Sequence, residues 1–398
     1  MSCPHCHSEA RFEGYRRKTV QSLFGPVIDE RAYYHCSACH RGWFPTDAEL
    51  GLTDRATPAA REVITLVGVL VGVLVGVLEP FAEGAHRVLS RLTGINVSAS
   101  TVPRQTEAVG TDVAERRAGG AAIGPATAWD WHRDAQGRSV AYVSLDATGV
   151  PQQGPRGEKR EGRLPWVGAV YNPTPPDQKR DRRLWQTRYV SGLMSLEQIG
   201  RELRVECQQV GVARADVVVA LTDGGAGLED CLLEQTLSGL ARETVLILDL
   251  FHAAEQVHEF SQVAWGPDQA AAQAATWCHR LKHSGGAALL SDLEALDLSA
   301  RSAEVREAHR QLTGYLRNNR HRTDYPHYMA HDPHYMAHDW LIGSGVIESA
   351  GKTVVNQRLK GCGMRWRERG TTALCQARAL YKSEHPLWSA YWKLLTAA

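Results

Sequence analysis

Five short apolar runs mark the middle of the chain, and their spacing predicts alternating strands and helices. The runs cover residues 139–149, 164–172, 185–192, 216–225 and 244–253. The first three lie close together, as in a meander, whereas polar helical stretches at 195–211 and near 227–241 separate the last three. Ser195 is a suitable N-cap for the first of these helices. Residues 138–255 are therefore expected to form an α/β unit.

The element order in this unit is three strands, a helix, a strand, a helix and a strand, which is the order of the ribonuclease H-like fold. Residues 256–340 follow as an all-helical insertion, and residues 341–398 are expected to complete the core with further helices. Upstream, residues 55–120 have a helical pattern, and residues 1–50 are rich in Cys, His and aromatic residues. The sequence thus predicts a multi-domain α+β protein.

An apolar run from Val63 to Leu78 raises the question of a membrane helix. A spanning helix needs about 20 apolar residues, and this run is shorter. It contains LVGV three times in tandem between Leu66 and Val77, which a short in-frame duplication explains. Its glycines would align on one stripe, as in paired membrane helices. The length nevertheless favours a buried helix of a protein without membrane contact.

The charge balance and the N-terminal sequence bear on which partners and which cellular location are expected. Lys and Arg number 45 and Asp and Glu number 44, so a nucleic-acid surface must be a local patch. No basic segment followed by an apolar one begins the chain, so no signal peptide is evident. A cytoplasmic, nucleoid-associated location is expected, where paired cysteines favour a metal over disulfide bonds.

Four of the nine cysteines form two Cys-x-x-Cys pairs, Cys3 with Cys6 and Cys36 with Cys39. Each pair turns the backbone so that two thiolates meet one ion, and two pairs supply the tetrahedral sulfur set that Zn²⁺ prefers. Strand-like stretches around the Gly-Pro pair at 25–26 complete the pattern of a zinc ribbon. Four thiolates leave no position for water, so this zinc would be structural. The alternative is two redox-active pairs.

A helix-turn-helix is the candidate DNA-reading element of residues 55–120. The range 80–92 is expected to form one helix and Thr93-Gly94 the turn, and Ser100 can cap a second helix at 101–117. Such a motif places its second helix in the major groove of DNA. Plain packing of two helices explains the same pattern equally well.

Three carboxylates have the placement of a catalytic set. Asp146 ends an apolar strand in VSLDATG, and Asp223 ends another in VALTDGGAG. A lone Asp at a strand end is usually a turn residue, but the first and fourth strands are neighbours in a ribonuclease H-like sheet. Glu348 begins a late helix after the insertion. Three carboxylates can hold two Mg²⁺ (or Mn²⁺) ions about 3.5–4 Å apart, the arrangement that serves phosphoryl transfer.

Basic residues cluster beside these carboxylates in the sequence. After Glu348 come Lys352, Arg358, Lys360, Arg365, Trp366, Arg367 and Arg369, of which the tryptophan could stack on an unpaired base. After Asp146 come Arg156, Lys159, Arg160 and Arg163. A third cluster comprises Lys179, Arg180, Arg182 and Arg183. Phosphate contact is favoured over a merely solvated face.

A second tandem repeat, PHYMAHD, occupies residues 326–339. Its histidines are His327, His331, His334 and His338. They suggest metal binding, but no acidic or cysteine framework accompanies them, so a small duplication in a loop is the favoured interpretation. The repeat falls shortly before Glu348 and could shift the helix that carries it.

Several longer strings are similar to those of one known family. They are SLDATGVPQQGP, GRLPWVGAVYN, ALTDGGAGLE, LILDLFHAAE and IGSGVIESAGKTVVNQRLKGCGMRW, preceded by the CPHC and CSAC pairs. Over nearly its whole length the chain resembles the ISKra-type insertion-sequence transposases, DDE enzymes with a zinc ribbon ahead of the catalytic domain. The resemblance implies Asp146 and Glu348 as the first and last catalytic carboxylates.

The middle carboxylate is either Asp223 or Asp249. Asp249 and His252 lie in DLFH, which is similar to the C/DxxH motif of Mutator-like and hAT-like transposases. In those proteins the motif follows the second catalytic Asp and is not itself a metal ligand. Asp223 is therefore favoured, and His252 is expected to orient DNA or a carboxylate.

The expected function is that of a bacterial transposase that binds the element ends and catalyses metal-dependent cleavage and strand transfer. Its expected partners are the double-stranded DNA of the terminal repeats and of the target, and at least one further copy of the chain, since two ends must be joined. The duplications motivate an alternative, a catalytically decayed copy that acts only as a DNA-binding protein. A nuclease of the same fold without strand transfer is a third possibility.

Overall fold

The computed structural model describes residues 1–52, 55–70, 89–173, 186–329, 339–361, 363–384 and 386–397. Several sequence predictions fall outside these residues. They are most of the LVGV repeat, the first helix of the helix-turn-helix up to residue 88, the third basic cluster (Lys179, Arg180, Arg182 and Arg183), and His331, His334 and His338.

The N-terminal domain is built on a long β-hairpin. Strand β1 (Arg11–Ser22) pairs antiparallel with β2 (Gly25–His35), and β2 pairs with the short β3 (Gly42–Trp43). Gly25 adopts a φ of 109° at the turn, a conformation that favours glycine. Helix α1 (Pro45–Glu49) follows. The strand-like stretches predicted around the Gly-Pro pair are confirmed.

A helical layer comes next in the chain. Its described helices are α2 (Pro58–Leu70), α3 (Ser90–Thr93) and α4 (Thr101–Ala118). Gly94 ends α3 in the left-handed conformation with φ 70°, and the second helix of the predicted helix-turn-helix is present as α4. Among the described helices, none has both the length and the apolar character that a membrane crossing needs.

A mixed sheet lies at the centre of the molecule. The elements that build and interrupt it are, in chain order, β4 (His132–Arg133), β5 (Ser139–Ala147), β6 (Val150–Gln153), β7 (Lys159–Arg163), β8 (Trp166–Asn172), β9 (Gln186–Gly192), α5 (Leu196–Gln209), β10 (Val217–Thr222), α6 (Leu228–Asp230) and β11 (Thr244–Leu248). Strands β6 and β7 form a separate hairpin. Helix α6 continues into a π-helical turn at Cys231–Thr236. The side chain of Ser195 caps α5 as predicted, accepting from the backbone N–H of Gln198 at 3.2 Å.

The strand order of the central sheet is β11-β10-β5-β8-β9, with β4 paired to β5. Strands β5, β8 and β9 are antiparallel neighbours, whereas β10 and β11 run parallel to β5. The predicted meander of the first three strands is therefore confirmed. So is the prediction that the strands leading to Asp146 and Asp223 are direct neighbours.

Helices cover both faces of this sheet, which is why its strands are apolar on both sides. Along β5, Ala141, Val143 and Leu145 pack towards α5, and Val140 and Tyr142 pack towards the later helices. Those helices are α7 (Leu250–Glu294), α8 (Ala303–Asn318), α9 (Tyr325–Tyr328), α10 (Gly345–Ala350), α11 (Gln357–Leu359), α12 (Glu368–Lys382) and α13 (Pro386–Ala397), with a π-helical turn at Gly351–Asn356 joining α10 to α11. The backbone breaks α7 at Gly266 and Gly285, where φ is positive. The predicted helical insertion is thus formed by α7 to α9.

Helix α4 packs closely against α12 in the C-terminal part of the chain. A Cβ atom on Gly110 would come within 1.9 Å of the backbone oxygen of Ala373, so the two helix backbones touch. Nearby, the buried Arg117 donates to Glu206 at 3.1 Å, and this carboxylate also accepts from Arg188 at 3.4 Å. Helical layer and sheet therefore share one buried ionic cluster. One side of α4 therefore serves packing.

The architecture is a mixed α/β structure with a cluster of four cysteines at its N-terminus.

Candidate catalytic centre and nucleic-acid interface

Three parallel strands bring three aspartates to one edge of the sheet. Asp146 lies at the C-terminal end of β5, Asp223 follows β10 directly, and Asp249 follows β11 directly. Because β5, β10 and β11 run in the same direction, their carboxyl ends share an edge. Ligand and catalytic sites commonly occupy this edge in α/β sheets.

Asp146 is half-buried, and its environment disfavours the charged form. Burial raises the pKa of its carboxyl, and the negative charges of Asp223 and Asp249 raise it further, against the opposing effects of the Ala147 backbone N–H and of His252. Like charges that raise a carboxyl pKa must lie near it. Asp146, Asp223 and Asp249 therefore form one electrostatic cluster that a cation would relieve.

Asp223 begins the loop after β10. Its Oδ1 accepts from the backbone N–H of Gly225 at 2.8 Å, the geometry of an Asx turn, and Gly224 between them has a φ of 89°. Its backbone oxygen accepts from the hydroxyl of Tyr315 at 2.9 Å. The side chain is half-buried and faces the cluster.

Asp249 is fully buried, and its two oxygens are occupied by hydrogen bonds. Oδ1 accepts from the backbone N–H of Phe251 at 2.8 Å and so caps α7, while Oδ2 accepts from Ser344 and lies 3.3 Å from His252 Nδ1. Burial alone would raise the pKa of Asp249, but the hydrogen bonds outweigh it and hold the pKa below its usual range. The hydrogen bond to Asp249 raises the pKa of His252 to about 9.

Glu348 reaches the same edge from α10. One ligand atom each from Asp249, His252 and Glu348 lies within 4.8 Å of the others, a grouping that could hold a metal ion. Lys352, one turn further along, places its Nζ 3.8 Å from Glu348 Oε2. Ser344 just before α10 bonds Asp249, which ties the start of this helix to the end of β11.

Burial differs between Asp249 and the other three carboxylates at this edge, and it affects which of them a hard cation can reach. Asp146, Asp223 and Glu348 are all half-buried at the edge, where oxygen ligands for Mg²⁺ or Mn²⁺ must be reachable. Asp249 has no accessible surface, and hydrogen-bond partners already take up three of the roughly four acceptor positions of its carboxylate. A metal ion at Asp249 would have to compete with these partners, and one at His252 would have to compete with the imidazole proton.

A basic surface adjoins this edge. Lys360 Nζ donates to Thr148 Oγ1 at 3.1 Å, and Thr148 lies two residues beyond Asp146. From there two neighbouring clefts lead away along the β6–β7 hairpin and the N-terminal half of α4. We call this surface the basic cleft. Its basic residues are Lys159, Arg160, Arg163, Lys360, Arg365, Arg367, Arg369 and Arg104, and they outnumber its acidic residues Glu107, Glu161 and Glu368, of which Glu368 pairs with Arg163 at 3.1 Å. Arg156 lies exposed in the turn between β6 and β7, and Lys352 lies exposed beside Glu348.

Of two predicted DNA contacts, Arg358 is buried and has to be corrected, whereas Trp366 lines the basic cleft and is half-buried. Arg358 is only 1% exposed, its Nε donates to the backbone oxygen of Gly68 at 3.1 Å, and burial lowers its pKa to about 10. Trp366 is half-buried against the core, and its indole N–H donates to Leu359 at 3.0 Å. The alternation of exposed and buried positions in this segment was not visible in the charge pattern. Arg358 therefore holds α2 in place, and Trp366 packs the segment that carries the exposed arginines.

The four cysteines near the N-terminus meet as predicted. Cys3 Sγ lies 3.6 Å from Cys39 Sγ, and Cys6 Sγ lies 3.5 Å from Cys36 Sγ. In a tetrahedron with metal–sulfur bonds of about 2.3 Å, neighbouring sulfur atoms are about 3.8 Å apart. The backbone and side chain of Ser8 donate to Cys6 and lower the pKa of its thiol to about 6, whereas burial raises the pKa of the Cys39 thiol to about 12. The group can hold a structural metal ion such as Zn²⁺.

Sequence reasoning missed the residues that hold the carboxylates. Ser344 precedes α10 and carried a local signal, because serine before a helix is a usual N-cap. Tyr315 and Arg322, which contact the Asp223 loop, carried no such signal, since both lie far away in the insertion.

Compared with protein-family models and with curated proteins, the chain matches none of them.

Proposed function

We propose that the chain is a transposase of a bacterial insertion sequence, a DDE enzyme whose central sheet is a ribonuclease H-like core. The strand order supports the core, because a three-strand antiparallel meander followed by two strands parallel to its first is the expected arrangement. The strings that resemble ISKra-type transposases support the family. We also propose Zn²⁺ as the metal of the four cysteines.

The observation that carries the proposal is a cluster of acidic side chains at one edge of the sheet, beside a basic cleft. The charges of Asp223 and Asp249 act on Asp146, and ligand atoms of Asp249, His252 and Glu348 lie within 4.8 Å of one another. Ordinary turn aspartates do not need a glutamate that a separate helix brings to them. Carboxylates gathered in this way are suited to binding divalent cations.

The residues divide the work of phosphoryl transfer. Asp146, Asp223 and Glu348 would hold two divalent ions, which when bound activate the attacking water or 3′-hydroxyl and stabilise the leaving oxygen. Asp249 orients His252 and the start of α10. Cleavage and strand transfer are both attacks on a phosphodiester, so one arrangement of these side chains serves both.

The basic cleft supplies the path for DNA. Arg160, Arg365 and Arg367 line adjoining parts of it, and Lys360 connects it to the strand that carries Asp146. Side chains of this kind contact phosphates without reading sequence. The exposed N-terminal residues of α4 on the far wall, including Arg104, are the part of the predicted helix-turn-helix that faces the cleft. Two DNA ends require at least two copies of the chain.

The test is a cleavage and strand-transfer assay with labelled DNA that flanks the coding sequence, in Mg²⁺ or Mn²⁺. We expect nicks at the element ends and joined products, both lost in Glu348→Gln. Nicking without joining would identify a nuclease instead. DNA binding without either product would favour the decayed copy, for which the repeats at 66–77 and 326–339 are the motivation.

A further inference from the structure

The helical insertion touches the catalytic edge with three polar side chains. The Tyr315 hydroxyl on α8 donates to the backbone oxygen of Asp223 at 2.9 Å, and the Tyr325 hydroxyl on α9 donates to the backbone oxygen of Leu248 at 3.0 Å. Between the two helices, Arg322 Nη1 donates to Thr222 Oγ1 at 2.8 Å. Each acceptor belongs to Asp223, or to the residue just before Asp223 or Asp249.

Two of these donors, those of Tyr325 and Arg322, are buried, where a polar group is unstable unless it is hydrogen-bonded. Tyr325 is fully buried and Arg322 is 4% exposed. Burying a guanidinium is costly unless its N–H groups are hydrogen-bonded. Besides Thr222, the Arg322 guanidinium bonds Asn319 and lies 3.7 Å from Glu229. The insertion therefore contacts the strand ends through charged and polar groups. Apolar packing alone would have been enough to join it to the sheet.

The loop after Asp223 is held along its length by the same insertion. A Cβ on Gly224 would lie 3.2 Å from the Tyr315 ring and 3.3 Å from the Asn319 amide. Beyond the loop, Glu229 on α6 contacts His321 Nε2 at 3.0 Å. The left-handed Gly224 thus fits under the insertion, and the backbone that aims the Asp223 side chain has contacts on either side of that residue.

We propose that the helical insertion sets the position of Asp223, with Tyr315, Arg322 and Tyr325 as its positioning residues. None of the three touches substrate; they act through the backbone of β10 and β11. The inference rests on the proposed function, because it takes Asp223 as a metal ligand. It gives the insertion a role in metal binding besides that of a surface domain.

The test compares Tyr315→Phe with a matched control, Tyr391→Phe, in the full chain. Each change removes one hydrogen-bonding hydroxyl and leaves the ring. Tyr315 is half-buried and Tyr391 is buried; Tyr391 donates to Asp112 at 2.9 Å and packs in the cluster of Val109 and Val113, away from the carboxylates. The measurements are Mn²⁺ affinity by calorimetry, thermal unfolding, DNA affinity, and cleavage as a function of Mn²⁺ concentration. Glu348→Gln identifies the Mn²⁺ that binds at the carboxylates.

We expect Tyr315→Phe to weaken Mn²⁺ binding on the order of 10-fold, the usual effect of losing a partner that orients a metal ligand. Cleavage should fall at low Mn²⁺ and recover at high Mn²⁺, while DNA affinity stays at the wild-type value. Tyr325→Phe should change Mn²⁺ affinity in the same direction. Tyr391→Phe should lower the melting temperature by a similar amount and leave Mn²⁺ affinity unchanged.

Wild-type Mn²⁺ affinity in Tyr315→Phe would overturn the inference and leave the proposed function standing. Equal losses in Tyr315→Phe and Tyr391→Phe would overturn it too, because the effect would then be one of general stability. If the wild-type chain binds no Mn²⁺ that Glu348→Gln removes, the proposed function itself fails, and the inference fails with it.

Discussion

Among single residues, burial separates carboxylates of the same chemistry into different roles. Asp223 and Asp249 both end parallel strands, and the sequence left either as the middle carboxylate. Asp249 is enclosed and bonded to Phe251, His252 and Ser344, whereas Asp223 keeps its side chain at the half-open edge. These contacts support Asp223 as the ligand and Asp249 as the residue that orients its neighbours.

The first prediction concerns the four carboxylates at the edge of the sheet, which are those of Asp146, Asp223, Asp249 and Glu348. Asp146→Asn, Asp223→Asn and Glu348→Gln each keep the side-chain shape but remove charge from the cation site, so we expect no detectable cleavage. Asp249→Asn should lower cleavage on the order of 10–100-fold, the range found when a partner of a metal ligand is lost. Gel-shift and nicking assays on the same DNA measure both effects. Full activity in Asp223→Asn together with none in Asp249→Asn would exchange the two roles.

The second prediction separates an exposed arginine from a buried one. Arg160→Ala should weaken DNA binding and reduce the slope of log affinity against log salt by about 1, because one phosphate contact is lost. Arg358→Ala should leave the slope unchanged and destabilise the fold by about 1–3 kcal/mol, since the Gly68 oxygen loses its buried donor. Titrations at several salt concentrations and denaturant unfolding provide the comparison. A smaller slope in Arg358→Ala would restore it as a DNA contact.

Among the elements, α4 contributes to joining the helical layer to the central sheet and its C-terminal helices through its close contact with α12. Gly110 allows this approach because it has no side chain, and the buried Arg117 on the same helix reaches Gln376 on α12 at 2.8 Å. A recognition helix that reads DNA needs a free face, and here only the N-terminal half of α4 faces the basic cleft. Packing therefore leaves accessible the side of α4 that lines the cleft, from Pro103 to Thr111.

The third prediction tests this contact. Gly110→Ala places a methyl group against the Ala373 oxygen, and we expect it to destabilise the protein by about 1–3 kcal/mol despite the better helix propensity of alanine. Gly119 is the control, since it ends α4 with negative φ and a Cβ there would meet its nearest neighbour at 3.5 Å. Gly119→Ala should change stability by less than about 0.5 kcal/mol. Urea unfolding gives the free energy of unfolding of both variants. Equal changes in this free energy would contradict the prediction, because the two helices would then separate easily to make room for the methyl group.

At the scale of the whole molecule, the N-terminal domain differs from the rest in what stabilises it. Its buried apolar cluster is small, with Cys3, Ala10 and Cys36 as members, whereas two extensive clusters cover the faces of the central sheet. A domain with so little core would depend on a metal ion bound at the four cysteines for folding energy. The hairpin contacts the helical layer through backbone bonds between Gln21 and residues 55–57.

The fourth prediction follows from that difference. We expect about one Zn²⁺ per chain, and its removal by a chelator in reducing buffer should unfold the N-terminal domain while the central sheet persists. Elemental analysis gives the metal content, and hydrogen exchange resolves the two regions. Cys36→Ser should act like chelation, whereas Cys278→Ser, outside the four-cysteine group, should not. Protection of the central sheet lost together with that of the hairpin would contradict the prediction.

The sequence by itself determined the elements whose signals are local. Alternating or continuous apolar runs specified β5, β8 to β11 and their neighbours in the sheet, and the two Cys-x-x-Cys pairs specified the metal-binding group. Asp146, Asp223 and Glu348 were identifiable because each stands at the end or start of such an element. The hairpin β6–β7 could not be identified from the sequence, since every residue of β7 is exposed and the strand does not alternate between apolar and polar residues.

Tertiary structure alone decided which groups meet. Tyr315 contacts Asp223, and Arg358 contacts Gly68, across long stretches of chain, and neither tyrosine nor arginine signals its partner locally. The exposure of Asp223 and the enclosure of Asp249 likewise depend on Ser344 and the insertion. A residue's neighbours within a helix or strand follow from a fixed period, but contacts between elements depend on how whole faces pack. The sequence therefore specified the candidate ligands, and the packing of the insertion and of α10 decided how they are held.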